Sequence, residues 1–245
     1  MNCEAVVHHL VEWLREKVAA AGAKGVVFGL SGGVDSAVTA VIAKRAFPDN
    51  CMALLMPCNS PVTDLLHSQM LVAQFDIPYR MVEIENAYNL LLPQYESFIK
   101  TEGDKGKPIR ANIKPRLRMI TLYYSAQSRN YLVVGTSNKS EISIGYSTKY
   151  GDSGVDLQLL GDLFKKEVYE LAKYLEIPDV IIQKPPSAGL WPDQTDENEM
   201  GITYEQLDRY LETGEGEPEV ISRIQKMMKA SEHKRQMPPI ANISR

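Results

Sequence analysis

The run Gly29-Leu30-Ser31-Gly32-Gly33-Val34-Asp35-Ser36 concentrates more chemistry than any other stretch of the chain. Its glycines permit positive φ and close backbone approach, so several N–H groups can converge on an anion, and Ser31 and Ser36 add hydroxyl donors. The loop is not a Walker A sequence, because no Gly-Lys-Ser/Thr follows, and it is not GxGxxG. Asp35 is the informative residue. A carboxylate beside phosphates is repulsive unless a divalent cation lies between them, so the loop predicts Mg²⁺ bridging Asp35 and a polyphosphate. A tight turn with Asp35 as a helix N-cap would account for Asp35 and Ser36, but not for paired glycines after a buried strand.

Such a loop must leave a strand and open a helix, and the hydrophobic pattern supplies both. Residues 25–30 form a short apolar, β-branched run, and 37–47 follow with a helical pattern. Upstream, Val7, Leu10, Val11, Leu14 and Val18 recur at helical spacing before Gly22 ends the helix. Downstream the alternation continues, with strands over 51–57, 79–84 and 131–136 and helices over 63–75, 87–99 (broken) and 116–130. Strands that are apolar throughout, each separated by a helix, indicate a parallel sheet covered on both faces: a doubly wound, Rossmann-like α/β fold. Ligands bind such sheets beyond the carboxyl ends of the strands, where residues 31–36, 56–60 and 135–141 fall. Past Leu160 the pattern is helical (165–175, 203–211, 219–231), interrupted by a Pro/Gly-rich acidic loop over 184–201. No linker divides the chain, so residues 1–245 are expected to form a single domain.

The chain has 245 residues, 44% hydrophobic and 24% charged, with a net charge of −4. That is the composition of an ordinary globular protein and excludes extended disorder. No apolar run approaches the roughly 20 residues needed to span a bilayer, and Glu4, His8, His9 and Glu12 interrupt any secretory signal. Cys3, Cys51 and Cys58 form neither a CxxC pair nor an even framework, and read as reduced thiols of a cytoplasmic protein. Charge is unevenly spread: residues 100–118 sum to +5, 193–219 to −9 and 220–245 to +5. Two basic segments in an acidic chain favour a phosphate-bearing ligand, whereas nucleic acid would call for an overall excess of positive charge. His8 and His9 diverge on a helix and His67 has no second ligand near it, so none of them reads as a metal site.

The SGGVDS loop resembles the pyrophosphate-binding loop of the N-type ATP pyrophosphatases, the adenine nucleotide alpha hydrolase-like enzymes that adenylate a substrate with ATP. Five further segments are similar to the ammonia-dependent NAD synthetase family: Asn112 to Met119 (NIKPRLRM), Val134 to Glu141 (VGTSNKSE), Thr148 to Asp152 (TKYGD), Pro186 to Trp191 with Gln194 to Glu197, and His233-Lys234-Arg235. The resemblance implies that Gly29, Leu30, Ser31, Gly32, Gly33, Val34, Asp35 and Ser36, with Thr136, Lys165 and Ser187, contact ATP, and that Asp35 and Glu141 bind Mg²⁺. It assigns Arg116, Lys149, Asp156, His233 and Lys234 to deamido-NAD, whose diphosphate requires compensating cations. Pro115, immediately before Arg116, departs from the family pattern and is expected to shift the helix start, and 101–108 is expected to be a polar loop.

The implied reaction is attack by the nicotinate carboxylate on the α-phosphorus of ATP, followed by attack of ammonia on the acyl-adenylate. Asp35 and Lys165 would serve the first step, and Asp152 is the expected proton acceptor in the second. A loop over 185–199 is expected to act as a lid that excludes water. No amidase segment is recognisable, which implies free ammonia as the nitrogen source, and the family implies a homodimer. Two alternatives remain at this level: an ATP pyrophosphatase that adenylates another acceptor, such as a tRNA base, and a noncatalytic nucleotide-binding module.

Overall fold

The computed structural model describes residues 1–98, 103–191 and 194–243. Residues 101 and 102 of the expected loop, the side chain of Lys105, and residues 192 and 193 of the expected lid lie outside them. Helix α1 (Cys3–Ala20) starts where Asn2 accepts from the Ala5 N–H, and it buries Val7, Val11, Leu14 and Val18. Strand β1 (Gly25–Gly29) leads into α2 (Val34–Ala46), which is buried nearly all round because helices pack on two of its sides. β2 (Cys51–Leu55), α3 (Val62–Gln74) and β3 (Tyr79–Met81) step outward, and α4 (Glu85–Phe98), α5 (Gly103–Ala111) and α6 (Ile113–Arg129) carry the chain back to β4 (Tyr131–Gly135). Then follow α7 (Lys139–Ile144), β5 (Leu157–Gln158), α8 (Lys165–Tyr174), α9 (Asp179–Ile182), α10 (Asp196–Met200), α11 (Tyr204–Thr213), α12 (Pro218–Ala230) and a 3₁₀ turn, Glu232–Lys234.

The sheet is parallel throughout, in the order β3-β2-β1-β4-β5. Alternation along β1 divides the core. Val26 and Phe28 pack with α1, α2 and α8, while Val27 packs with Leu54, Val133 and Ala126 of α6 on the other face. A third cluster, centred on Ile144, Met200, Tyr204, Leu207 and Ile224, ties α7, α10, α11 and α12 together. Strand order reverses between β1 and β4, which opens a crevice at their carboxyl ends. The expected doubly wound fold is therefore the observed one, and no helix among the described residues is long and apolar enough to cross a membrane.

Local differences have physical reasons. α4 runs through Pro93 without a break; it has no buried residue, so the carbonyl that loses its donor there can be hydrated. Most of the expected 101–108 loop is helix α5, which packs on α6 and is closed by a hydrogen bond from Arg110 to the Gly103 carbonyl. Its glycines and charges conceal a helix that tertiary contact supports. Pro115 sits in the first turn of α6, where a missing N–H costs no intrahelical bond. β5, at two residues, is too short to show a pattern. Phe28 is fully buried at the centre of the sheet. Phe28→Ala should therefore cost about 3–5 kcal/mol in urea unfolding, and a cost below about 1 kcal/mol would contradict that placement.

Candidate active site

The turn after β1 is shaped for an anion. Gly33 is the N-cap of α2, with no side chain to satisfy the first-turn amides, so Asp35 is the second helical residue and not the cap. Gly32 has φ +77°, and a Cβ there would run into the Asp64 carbonyl. Ser36 donates to the Gly33 carbonyl (2.9 Å) and accepts from the Ser31 N–H (3.2 Å), which folds the loop back over the helix end. Gly29, Leu30, Ser31, Gly33, Val34, Asp35 and Ser36 all line one cleft of about 860 Å³.

The end of β4 brings the second half. Asn138 caps α7 in a capping box, its side chain accepting from the Glu141 N–H (3.0 Å) while Glu141 accepts from the Asn138 N–H (3.2 Å). The Asn138 amide also donates to Asp35 Oδ1 (2.8 Å), joining the two sides of the crevice. The first residue of α8 then supplies Lys165, whose Nζ lies 2.6 Å from Asp35 and 3.2 Å from Glu141. The Tyr204 hydroxyl lies 2.9 Å from Asp196 and 3.2 Å from Glu141, its one proton shared between them, and the Lys165 ammonium sits 4.8 Å from its ring centre.

Burial sets the charge states. Desolvation raises the Glu141 carboxyl to about 7, opposed by Lys165 and reinforced by Asp35 and Asp196. For Lys165, burial pulls downward, but Asp35 and Glu141 outweigh it and hold the ammonium above its usual range. Burial likewise raises Asp196. Among the described residues lining the cleft, carboxylates outnumber cations, which is a poor match for a polyphosphate alone.

Thr136 and Ser187 line the same cleft. The acidic end of the expected lid is partly helical: Thr195 caps α10, and the loop before it carries Ser187 to Trp191. Lys114 holds this loop with a 2.7 Å hydrogen bond to the Leu190 carbonyl, Lys107 stacks over Trp191 at 4.9 Å, and Lys184 pairs with Asp64. Lys114 and Asp64 are contributions that sequence alone did not single out.

The residues expected to hold the dinucleotide divide. Lys234 lines the cleft and donates to the carbonyls of Gly145 (2.7 Å) and Ser147 (2.6 Å). Arg116, Lys149 and His233 form a chain outside it, with Arg116 donating to the Lys149 carbonyl (3.3 Å) and Lys149 Nζ to the His233 carbonyl (2.6 Å). Asp156 is exposed and away from the cleft lining, accepting from the Val133 N–H (2.8 Å) and Tyr123 hydroxyl (3.0 Å). Asp152 borders the cleft and accepts from the Thr148 N–H (2.9 Å); the protein around it raises its carboxyl, although solvent still reaches the side chain.

The NAD synthase family model matches residues 6–238. The chain belongs to that family. The chain is 65% identical over 243 residues to an NH(3)-dependent NAD(+) synthetase of Syntrophomonas wolfei, covering 99% of this chain and 98% of the relative. Among solved structures it is similar to an NMN synthetase from Francisella tularensis (TM-score 0.94, 37% identity, 99% and 100% covered). It also matches an NH3-dependent NAD synthetase from Campylobacter jejuni (TM-score 0.80, 32% identity, 99% and 100% covered).

In this member of the NAD synthase family, Asn138 could have been singled out from sequence, since Asn followed three residues later by Glu is a capping-box signature. Tyr204 and Asp196 left no such signal, because their meeting with Glu141 is tertiary. The raised Glu141 carboxyl also has a sign. The unfolded chain ionises near 4.5 and the folded one near 7, so folded-state stability from this group is complete at low pH and falls as pH rises between them. Glu141→Gln abolishes that loss. The melting-temperature advantage of the variant over the parent should therefore grow from about pH 5 to 7 and then level off; a pH-independent difference would contradict it.

Proposed function

We propose that the chain converts the nicotinate carboxylate of deamido-NAD to the amide of NAD with ammonia, using ATP and releasing AMP and pyrophosphate. In this reading it acts as one ammonia-using domain in the cytoplasm. The observation that carries it is the convergence of Lys165, Asp35 and Glu141 beside the uncapped N-terminus of α2. A carboxylate is a poor electrophile, so its oxygen first attacks the α-phosphorus and the bond from that phosphorus to pyrophosphate breaks. Lys165 and the amides of residues 33–36 meet the negative charge that builds on the leaving pyrophosphate. Thr136 and Ser187 lie on the cleft wall where hydroxyls can meet ATP. Ammonia then attacks the acyl carbon, AMP leaves with the former carboxylate oxygen, and Asp152, at the cleft border, takes the surplus proton. The loop bearing Leu190 and Trp191 keeps water, the competing nucleophile, from the adenylate.

A divalent cation fits this site. Two carboxylates aim at one point now held by a single ammonium, and Glu141 is short of positive charge. Mg²⁺ is ordinarily held by one or two carboxylates together with substrate phosphates and water, and two converging carboxylates can provide the protein's share. Asp35 and Glu141 would hold Mg²⁺, which when bound neutralises phosphate charge.

Arg116, Ile120 and Tyr124 lie at successive helical turns on an exposed stripe of α6. A second copy seated there would complete the dinucleotide site around Arg116, Lys149 and His233, which supports a homodimer. The structural likeness to an NMN synthetase supports one second reading, in which the acid amidated is a mononucleotide. An acceptor such as a tRNA base and a noncatalytic sensor find less support, the latter because Asp35, Glu141 and Lys165 are all in place. Incubation with ATP, Mg²⁺, ammonium and either acid should give NAD or its mononucleotide counterpart together with equimolar AMP, faster with the dinucleotide. Formation of ADP, or no amide from either acid, would overturn the proposal. Asp35→Asn should lower kcat by about 10²–10³-fold with the fold retained by circular dichroism, and unchanged turnover would contradict the role of Asp35.

A further inference from the structure

We infer that Asp208, on α11, is a positioning residue for Lys165. The inference rests on the proposed role of Lys165 in meeting pyrophosphate charge. Asp208 is 2% exposed and makes no ion pair among the described residues, since the nearby Lys166 ammonium pairs with Glu212 instead (2.6 Å). A buried carboxylate without a cation is costly unless hydrogen bonds satisfy it. Asp208 has them. One oxygen accepts from the Ser140 hydroxyl and the other from the Lys166 N–H at 3.0 Å.

These bonds serve a particular helix end. The N-cap of α8 is Phe164, whose side chain has no oxygen; its carbonyl accepts from the Glu167 N–H (3.0 Å), which leaves the amides of Lys165 and Lys166 to find other partners. Ser140 accepts from the Lys165 N–H at 3.0 Å, and Asp208 accepts from the next amide. A distant helix thus supplies the cap, with a negative charge where the helix dipole favours one. Ser140 is also the residue before Glu141, and Lys165 is the first residue of α8. Asp208 therefore fixes, through one hydroxyl and one amide, the start of both segments that meet at Asp35. Four residues earlier on α11, Tyr204 holds Glu141 from the other side. Asp208 is not among the residues that line the cleft, so it acts through Lys165 and Glu141.

The test is a double-mutant cycle on the full-length enzyme, with ATP and acid-substrate kinetics measured separately. Asp208→Asn should lower kcat/KM for ATP about tenfold while KM for the acid stays within about twofold. In a Lys165→Gln background it should add less than about a twofold further loss, because the residue it positions is gone. Ser140→Ala, a smaller change, should show the same pattern and carries the test should Asp208→Asn not fold. A rise of more than about twofold in KM for the acid, or a full additive loss with Lys165→Gln, would reduce Asp208 to fold support and overturn the inference. If Lys165→Gln alone left ATP turnover intact, the proposed role of Lys165 would be the part that fails.

Discussion

The structure depends on one ammonium shared by two carboxylates. Lys165 is separated from Asp35 by 130 residues and from Glu141 by 24, yet all three side chains meet within hydrogen-bonding distance. Any one of these charges buried alone would be expensive, and together they hold one another in place. Meeting at that point requires β1 and β4 to be neighbours, α2 to start directly after β1, and α7 and α8 to start at the same end of the sheet. The strand order, the glycine turn and the capping box at Asn138 can all be understood as means to that convergence.

Under the proposed function, the same cluster would let an acidic cleft take a polyphosphate. Lys165 pairs with both acids but offsets only one negative charge, and Glu141 is raised to about 7 because burial and Asp35 oppose its charge. In the proposed function, a divalent cation on Asp35 and Glu141 would offset the remaining negative charge and leave Lys165 to face phosphate. The loop from Lys184 to Trp191 closes the other wall, held by Lys114, Lys107 and the Lys184–Asp64 pair, so its basic anchors come from the segment that stands out as positive in sequence. That segment therefore holds the 184–191 loop at Lys107 and Lys114 and presents an exposed face at Arg116, a division its composition could not convey.

Much of the frame was legible because it is local. Apolar runs mark β1, β2 and β4, the first and last ending on a glycine and β2 running into Pro57, and the 29–36 loop announces itself by residue type. What was not legible is set by tertiary contact. Helix α5 reads as a loop until α6 supports it, β5 has too few residues to show a period, and Asp156 carries a charge that turns out to serve Val133 and Tyr123 away from the cleft. Tyr204 and Asp208 look like ordinary helix residues, and only the packing of α11 against α7 and α8 gives them a task.

The central claim is that this cluster serves activation of a carboxylate at the α-phosphorus of ATP. The most direct measurement is to prepare the nicotinate acid substrate with heavy oxygen in its carboxylate and follow the label by mass spectrometry through one round of amide formation. Adenylation predicts one labelled oxygen in AMP and none in pyrophosphate. Label in inorganic phosphate with ADP as co-product, or AMP free of label, would contradict it.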